Sequence, residues 1–151
     1  MNNKYYTVCG IVEIEGKVLL VRHTYGNAKD RILLPGGFVQ ENELPTVAVE
    51  REILEETGVT AKAKAIIAMQ FKPEQWCAVF VMDYVSGTPK SDGMENSEVL
   101  LLTPEEAVKR DDITNMSGAI LKAYMGMHAE LLKSGYVPAS SDRNNYTIFG
   151  V

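Results

Sequence analysis

The chain has 151 residues, enough for one domain of ordinary size and too few for two. Hydrophobic residues at 46% and charged residues at 23% allow a packed core and exclude the composition of a disordered chain. Lys and Arg total 15 against 20 Asp and Glu, a net charge of −5 that argues against nucleic acid as partner. A small phosphorylated ligand stays open, because a bound cation can offset its charge.

From Tyr6 to Glu15 the residues are β-branched, aromatic and partly alternating, and Gly16-Lys17 turns them into Val18–Arg22, which predicts a hairpin. The polar stretch 25–31 reads as a loop, followed by a short strand, Ile32-Leu33-Leu34, that stops at Pro35-Gly36-Gly37. A helix is expected from about Pro45 to Thr57, with Pro in its first turn, Gly58 as its stop and Leu44 as a poor N-cap. Strands follow at 63–71 and 76–85 around Lys72-Pro73-Glu74, then a loop at 86–96 and a brief strand at 99–102. Thr103-Pro104-Glu105-Glu106 is a capping box. A last helix is expected from about Ser117 to Lys133, with Ile120, Tyr124, Met127 and Leu131 on one stripe, closed by Ser134-Gly135. The tail 136–151 is read as an extra strand or a partner-contacting arm. Together these elements predict a single α/β domain over 1–151, an α/β/α sandwich on a mixed central sheet.

Cys9 and Cys77 lie in apolar strand-like stretches without CxxC spacing, which suits two buried thiols in a reducing compartment. No signal peptide is expected from MNNKYYTV, and no stretch approaches the ~20 apolar residues of a membrane span. A cytoplasmic protein without membrane association is the expectation.

Chemistry concentrates between Gly36 and Val59. Glu52, Glu55 and Glu56, at i, i+3 and i+4, project from one helix face within a turn. Val47 and Leu54, on roughly the opposite face, are expected to dock the helix on the sheet. Three carboxylates this close repel unless a cation joins them. Oxygen-only donors point to a hard ion, Mg²⁺ or Mn²⁺, rather than Zn²⁺. Pro35-Gly36-Gly37 lets backbone approach such an ion, and Arg51 is placed to pair with Glu43 and brace the loop.

Gly37, five residues, Glu43, seven residues, Arg51-Glu52-Ile53, one residue, Glu55-Glu56, one residue, Gly58-Val59: this spacing resembles the Nudix box at every specified position. The box covers a sixth of the chain, and the surrounding order of elements is similar to the Nudix fold from about Tyr6 to Lys133. The resemblance implies hydrolysis of a nucleoside diphosphate linked to another moiety X. In that reading Glu52, Glu55 and Glu56 hold one to three divalent ions with backbone oxygen from Gly37 or Gly36. Arg51 orients Glu52 and pairs with Glu43. The general base stays open. Glu98, just before Val99–Leu102, is a candidate ligand or base, with a solvent-facing loop glutamate as the alternative; Glu95 and Asp92 are weaker candidates. A nucleotide-sensing module that binds without cleaving is the competing class.

Residues outside the box select the substrate, and there the signal thins. Pro73 lies near where bacterial ADP-ribose pyrophosphatases carry a proline, although a turn needs one equally. Phe71 and Trp76 are candidates to stack on a base or ribose, with core packing as the other use. Arg22, Lys29 and Arg31 are candidates to meet phosphate or X, against ordinary surface charge. ADP-ribose, a nucleotide sugar and a modified nucleoside triphosphate all remain open as substrates. His23 and His128 have no visible partner, and Met116, Met125 and Met127 read as core or dimer packing. A homodimer through the last helix and tail is left open.

Overall fold

The computed structural model describes residues 5–126 and 147–151. Its strands are β1 (Tyr5–Ile14), β2 (Lys17–His23), β3 (Ile32–Leu33), β4 (Gly36–Phe38), β5 (Thr60–Lys72), β6 (Gln75–Ser86), β7 (Asn96–Leu102) and β8 (Thr147–Phe149). Three helices, α1 (Pro45–Thr57), α2 (Pro104–Val108) and α3 (Asn115–Met125), complete the described residues. The eight-stranded sheet runs β3-β2-β1-β6-β5-β8, with β4 also on β1 and β7 also on β2. It is mixed: β1 and β6 are parallel, and the other named strand pairs are antiparallel.

Strand β1 positions the site. Its middle pairs with β4 through Thr7–Phe38, Val8–Gly37 and Cys9–Gly36, and its end pairs with β2. Successive side chains alternate between faces. Val8 and Val12 join Val49 and Ile53 of α1 in one core, while Ile11 joins Ile120 and Leu121 of α3 in the other. Helices therefore cover both faces, and the expected sandwich is the observed one.

Local signals are met at several points. The β1–β2 turn is Glu15-Gly16, both at positive φ, one residue earlier than expected. Pro45 opens α1 without a side-chain cap, and Gly58, at φ 71°, closes it by donating its N–H to Leu54 O. Pro73-Glu74 is the two-residue turn between β5 and β6, and Thr103 and Glu106 form the capping box of α2.

Other expectations are corrected. Gly36-Gly37, read as the stop after a strand, are themselves β4, because β1 supplies the ladder that two glycines would not favour alone. Strands β5, β6 and β7 are longer than expected, and α3 starts at Asn115, where Thr114 caps it. Val47 and Leu54 do not dock α1; both are about half exposed. The buried stripe is Val49, Glu52, Ile53 and Glu56, at i, i+3, i+4 and i+7, so two carboxylates ride on the core-facing side. Cys9 and Cys77 are partly buried free thiols. Of the tail, Thr147–Phe149 pairs with β5 as a strand. Met127, His128, Leu131 and the Ser134-Gly135 stop lie outside the described residues. Among the described residues no helix is long and apolar enough to cross a membrane.

Candidate active site

The site forms where α1 faces β4. Arg51 ties the two together: Nε and Nη2 donate to the Glu43 carboxylate at 2.7 and 3.0 Å, and Nη2 also donates to Phe38 O at 3.0 Å. Nη1 donates to Glu52 Oε1 at 2.8 Å and to Glu55 Oε2 at 3.1 Å. Glu43 Oε2 further accepts from the Gln40 N–H, which closes the loop on itself. The Arg51 guanidinium, followed by that N–H, holds the Glu43 carboxyl below its ordinary range. Arg51 itself is pushed up, first by Glu43.

Glu52 lies against Gly37 so closely that a Cβ there would stand 2.4 Å from the Glu52 carboxyl carbon. Only glycine leaves room for that approach. Burial raises the Glu52 carboxyl, opposed by Arg51. Glu56 is deeper, 2% exposed, with Oε2 buried and lacking any hydrogen-bond partner. Burial, then the charges of Glu52, Glu95 and Asp92, push it up to about 8. The Gly36 N–H donates to this carboxyl and opposes the rise. Glu55 differs: its side chain is 57% exposed and leans back to Arg51.

The loop between β6 and β7 holds the end of α1 under this cluster. Asn96, fully buried, donates Nδ2 to Glu56 O at 2.9 Å, and the Lys90 N–H donates to Thr57 O at 2.8 Å. These bonds satisfy carbonyls that a helix C-terminus leaves open. Asn96 was not singled out in the sequence; its partner lies far along the chain and no local pattern marks it.

Glu98 sits elsewhere. Its carboxylate takes Arg22 Nε at 2.9 Å, while Arg22 Nη1 reaches Asp112 and Asp30 O. Nε and Nη1 of Arg22 are thus engaged within the fold. Glu95 and Asp92, rather than Glu98, contribute the charge felt at Glu56. Tyr25 stands near the same carboxylates, its hydroxyl raised by burial and then by Glu95, Glu56, Glu52 and Asp92.

Two cavities lie on the α3 side of the sheet, lined by none of the cluster's carboxylates. One, of about 170 Å³, runs beneath α3 and is lined by Gly36, Cys9, His23, Thr114 and Met116 among others. The second, of about 210 Å³, continues past Tyr5, Gln70 and Gln75 and shares Thr7, Cys77 and Met116 with the first. Gly36 links this cleft to Glu56. Trp76 borders the second cavity, but its ring stacks on Tyr6 at 4.8 Å, and Phe71 is its cross-strand neighbour. Arg31 lies apart, bonded to Ile113 O at 2.5 Å and lining a third cavity with Arg110 and Lys122. The structure therefore gathers Gly37, Arg51, Glu52, Glu55 and Glu56, and it leaves Glu98, Arg22 and Arg31 outside that group.

The donor set suits a hard divalent cation. A buried carboxylate oxygen without a partner, a second carboxylate beside it and two glycine residues at close range supply oxygen ligands and a need for positive charge. Among the described residues no three acidic side chains form a ready cage as they stand, because Arg51 Nη1 lies between Glu52 and Glu55.

The family model for the NUDIX domain matches residues 3–124. An ADP-ribose pyrophosphatase from Methanocaldococcus jannaschii is 36% identical over 90 residues, 56% of this chain and 53% of that protein. Phosphatase NudJ from Escherichia coli K12 is 36% identical over 78 residues, 52% of this chain and 48% of the other. The chain thus spans about half the length of the curated relatives it matches. Among solved structures, a NUDIX hydrolase from Nitrosomonas europaea aligns with TM-score 0.74 at 28% identity, covering 83% of this chain and 72% of that one.

Proposed function

The chain belongs to the Nudix family, and from that premise we propose that it hydrolyses the phosphoanhydride of a nucleoside diphosphate linked to a second moiety, with the ADP-ribose class as first substrate. The observation that carries this reading is the buried Glu56 oxygen that lacks a hydrogen-bond partner, with the charge of Glu52 bearing on it. The likeness to an ADP-ribose pyrophosphatase at 36% identity favours that substrate class.

In the proposed site Glu52, Glu55 and Glu56 would hold Mg²⁺ or Mn²⁺, with backbone oxygen from the Gly36-Gly37 strand. A bound divalent ion supplies charge neutralisation of the diphosphate and a more acidic water. The chain's own part is positioning. Arg51 clamps Glu43 and Phe38 O, which fixes β4 against α1 and orients Glu52. Asn96 and Lys90 keep the last turn of α1, and with it Glu56, in place. Until a cation arrives, Glu56 keeps its proton near neutral pH, which avoids a bare buried charge. Glu55, exposed, is free to swing from Arg51 toward the cluster. Glu95 and Asp92 are the further acidic groups nearest Glu56 and take precedence over Glu98 as an additional ligand or base.

The test is a phosphate-release and product screen of purified protein against ADP-ribose, nucleotide sugars, dinucleoside polyphosphates and oxidised nucleoside triphosphates, with Mg²⁺ and Mn²⁺ separately. Chelator-sensitive turnover of one class supports the reading. Tight binding with no turnover of any compound favours the sensing module instead.

A further inference from the structure

Two thiols remote in sequence are brought into contact by the parallel pairing of β1 and β6. Thr7 stands opposite Cys77 and Cys9 opposite Val79, so Cys9 and Cys77 are diagonal neighbours on the α3 face of the sheet. Both thiols are free and only partly buried. Both line the cavity beneath α3, as does Met116, and Cys77 and Met116 continue into the neighbouring cavity. Three sulfur-bearing side chains thus line one cavity, two from the sheet and one from α3. The acidic cluster does not use them.

From this juxtaposition we infer that Cys9 and Cys77, with the Met116 thioether beside them, form a binding site for one soft monovalent cation of the copper(I) type. Thiolate and thioether donors select such ions over Mg²⁺ or Mn²⁺, which the carboxylates of α1 suit. His23 lines the same cavity but stacks on Tyr25, and among the described residues no three His, Cys, Asp or Glu side chains form a ligand set. Two thiolates and one thioether leave zinc, which takes four tetrahedral ligands in structural sites, short of its usual set.

The binding step balances without any redox change. Both cysteines bind as thiolates: two S–H bonds break, two sulfur–metal bonds form and two protons leave to solvent, so the ligated pair carries a charge of about −1. A disulfide fits less well. Diagonal neighbours on adjacent strands have Cα atoms about 7–8 Å apart, against an upper reach of about 6.8 Å for a disulfide. A metal ion between the two sulfurs spans a wider gap than a direct S–S bond of about 2.05 Å.

The test titrates the full, reduced, metal-free protein with Ag⁺, a redox-inert probe, in the absence of oxygen. Native mass spectrometry counts bound silver, ultraviolet absorbance follows sulfur-to-metal charge transfer, and iodoacetamide reports free thiols. The expected result is one tightly held silver ion per chain, undisturbed by excess Mg²⁺, that protects both cysteines from alkylation. Cys9→Ser and Cys77→Ser each lose that tight equivalent, and Met116→Leu weakens it. Two independent equivalents, none, or one retained by each single serine variant would overturn the assignment. Should a serine variant fail to fold, phenylarsine oxide on the unmodified chain decides: one arsenical blocking both thiols supports the pair, and one that leaves either thiol reactive contradicts it.

Discussion

Replacing Glu56 by Gln isolates the charge that the fold buries. In the metal-free protein this carboxyl has its pKa raised from 4.5 to about 8, with burial the main cause. An acid whose folded pKa is raised binds its proton more tightly when folded. Stability is then unaffected below about pH 4.5, falls as pH rises toward about 8, and levels off above. Between pH 5 and pH 7 the linkage amounts to about 2.5 kcal/mol at about 1.36 kcal/mol per pH unit. Gln keeps the shape and can keep the Gly36 N–H bond, but it cannot ionise. Urea melts in EDTA at the two pH values read the effect directly. The variant gains on the natural chain by about 2–3 kcal/mol between pH 5 and pH 7, while hydrolysis falls by orders of magnitude. A stability difference that does not change with pH would refute the burial of an ionisable, uncompensated carboxyl at this position.

Arg51→Lys replaces a two-pronged clamp on Glu43 by a single point charge, and about 1–3 kcal/mol of stability should be lost in denaturant melts, together with most of the turnover. Gly37→Ala puts a methyl group into the Glu52 carboxylate; a folded protein by circular dichroism with much weaker activation by Mg²⁺ is expected. Asn96→Ala removes the donor to Glu56 O in a fully buried position and should cost about 1–3 kcal/mol in urea melts.

Signals carried by neighbours in sequence were readable in advance. Pro45, Gly58 and Thr103 with Glu106 all act within a turn or two, and each stands where its chemistry implied; of the i, i+3, i+4 carboxylates, Glu52 and Glu56 are buried whereas Glu55 is exposed and paired with Arg51. Partners far along the chain were not readable. Arg22 stood between a phosphate contact and ordinary surface charge, and only the fold shows that the sheet register sets Glu98 beside it and brings up Asp112. Val47 and Leu54 are apolar, yet the core stripe passes through Glu52 and Glu56, since the buried site takes precedence over hydropathy there. Strand β4 was hidden because its first two residues are glycines with no strand preference of their own, held by the ladder of β1. Trp76 kept its second reading, packing, through its stack on Tyr6.

An electron paramagnetic resonance titration with Mn²⁺ asks most directly whether the α1 carboxylates bind a divalent cation. The account predicts that the natural chain depletes the free-ion signal and that Mg²⁺ restores it by competition. Glu52→Gln combined with Glu56→Gln should leave the signal of free Mn²⁺ undiminished. Equal depletion by that folded double variant would contradict the account.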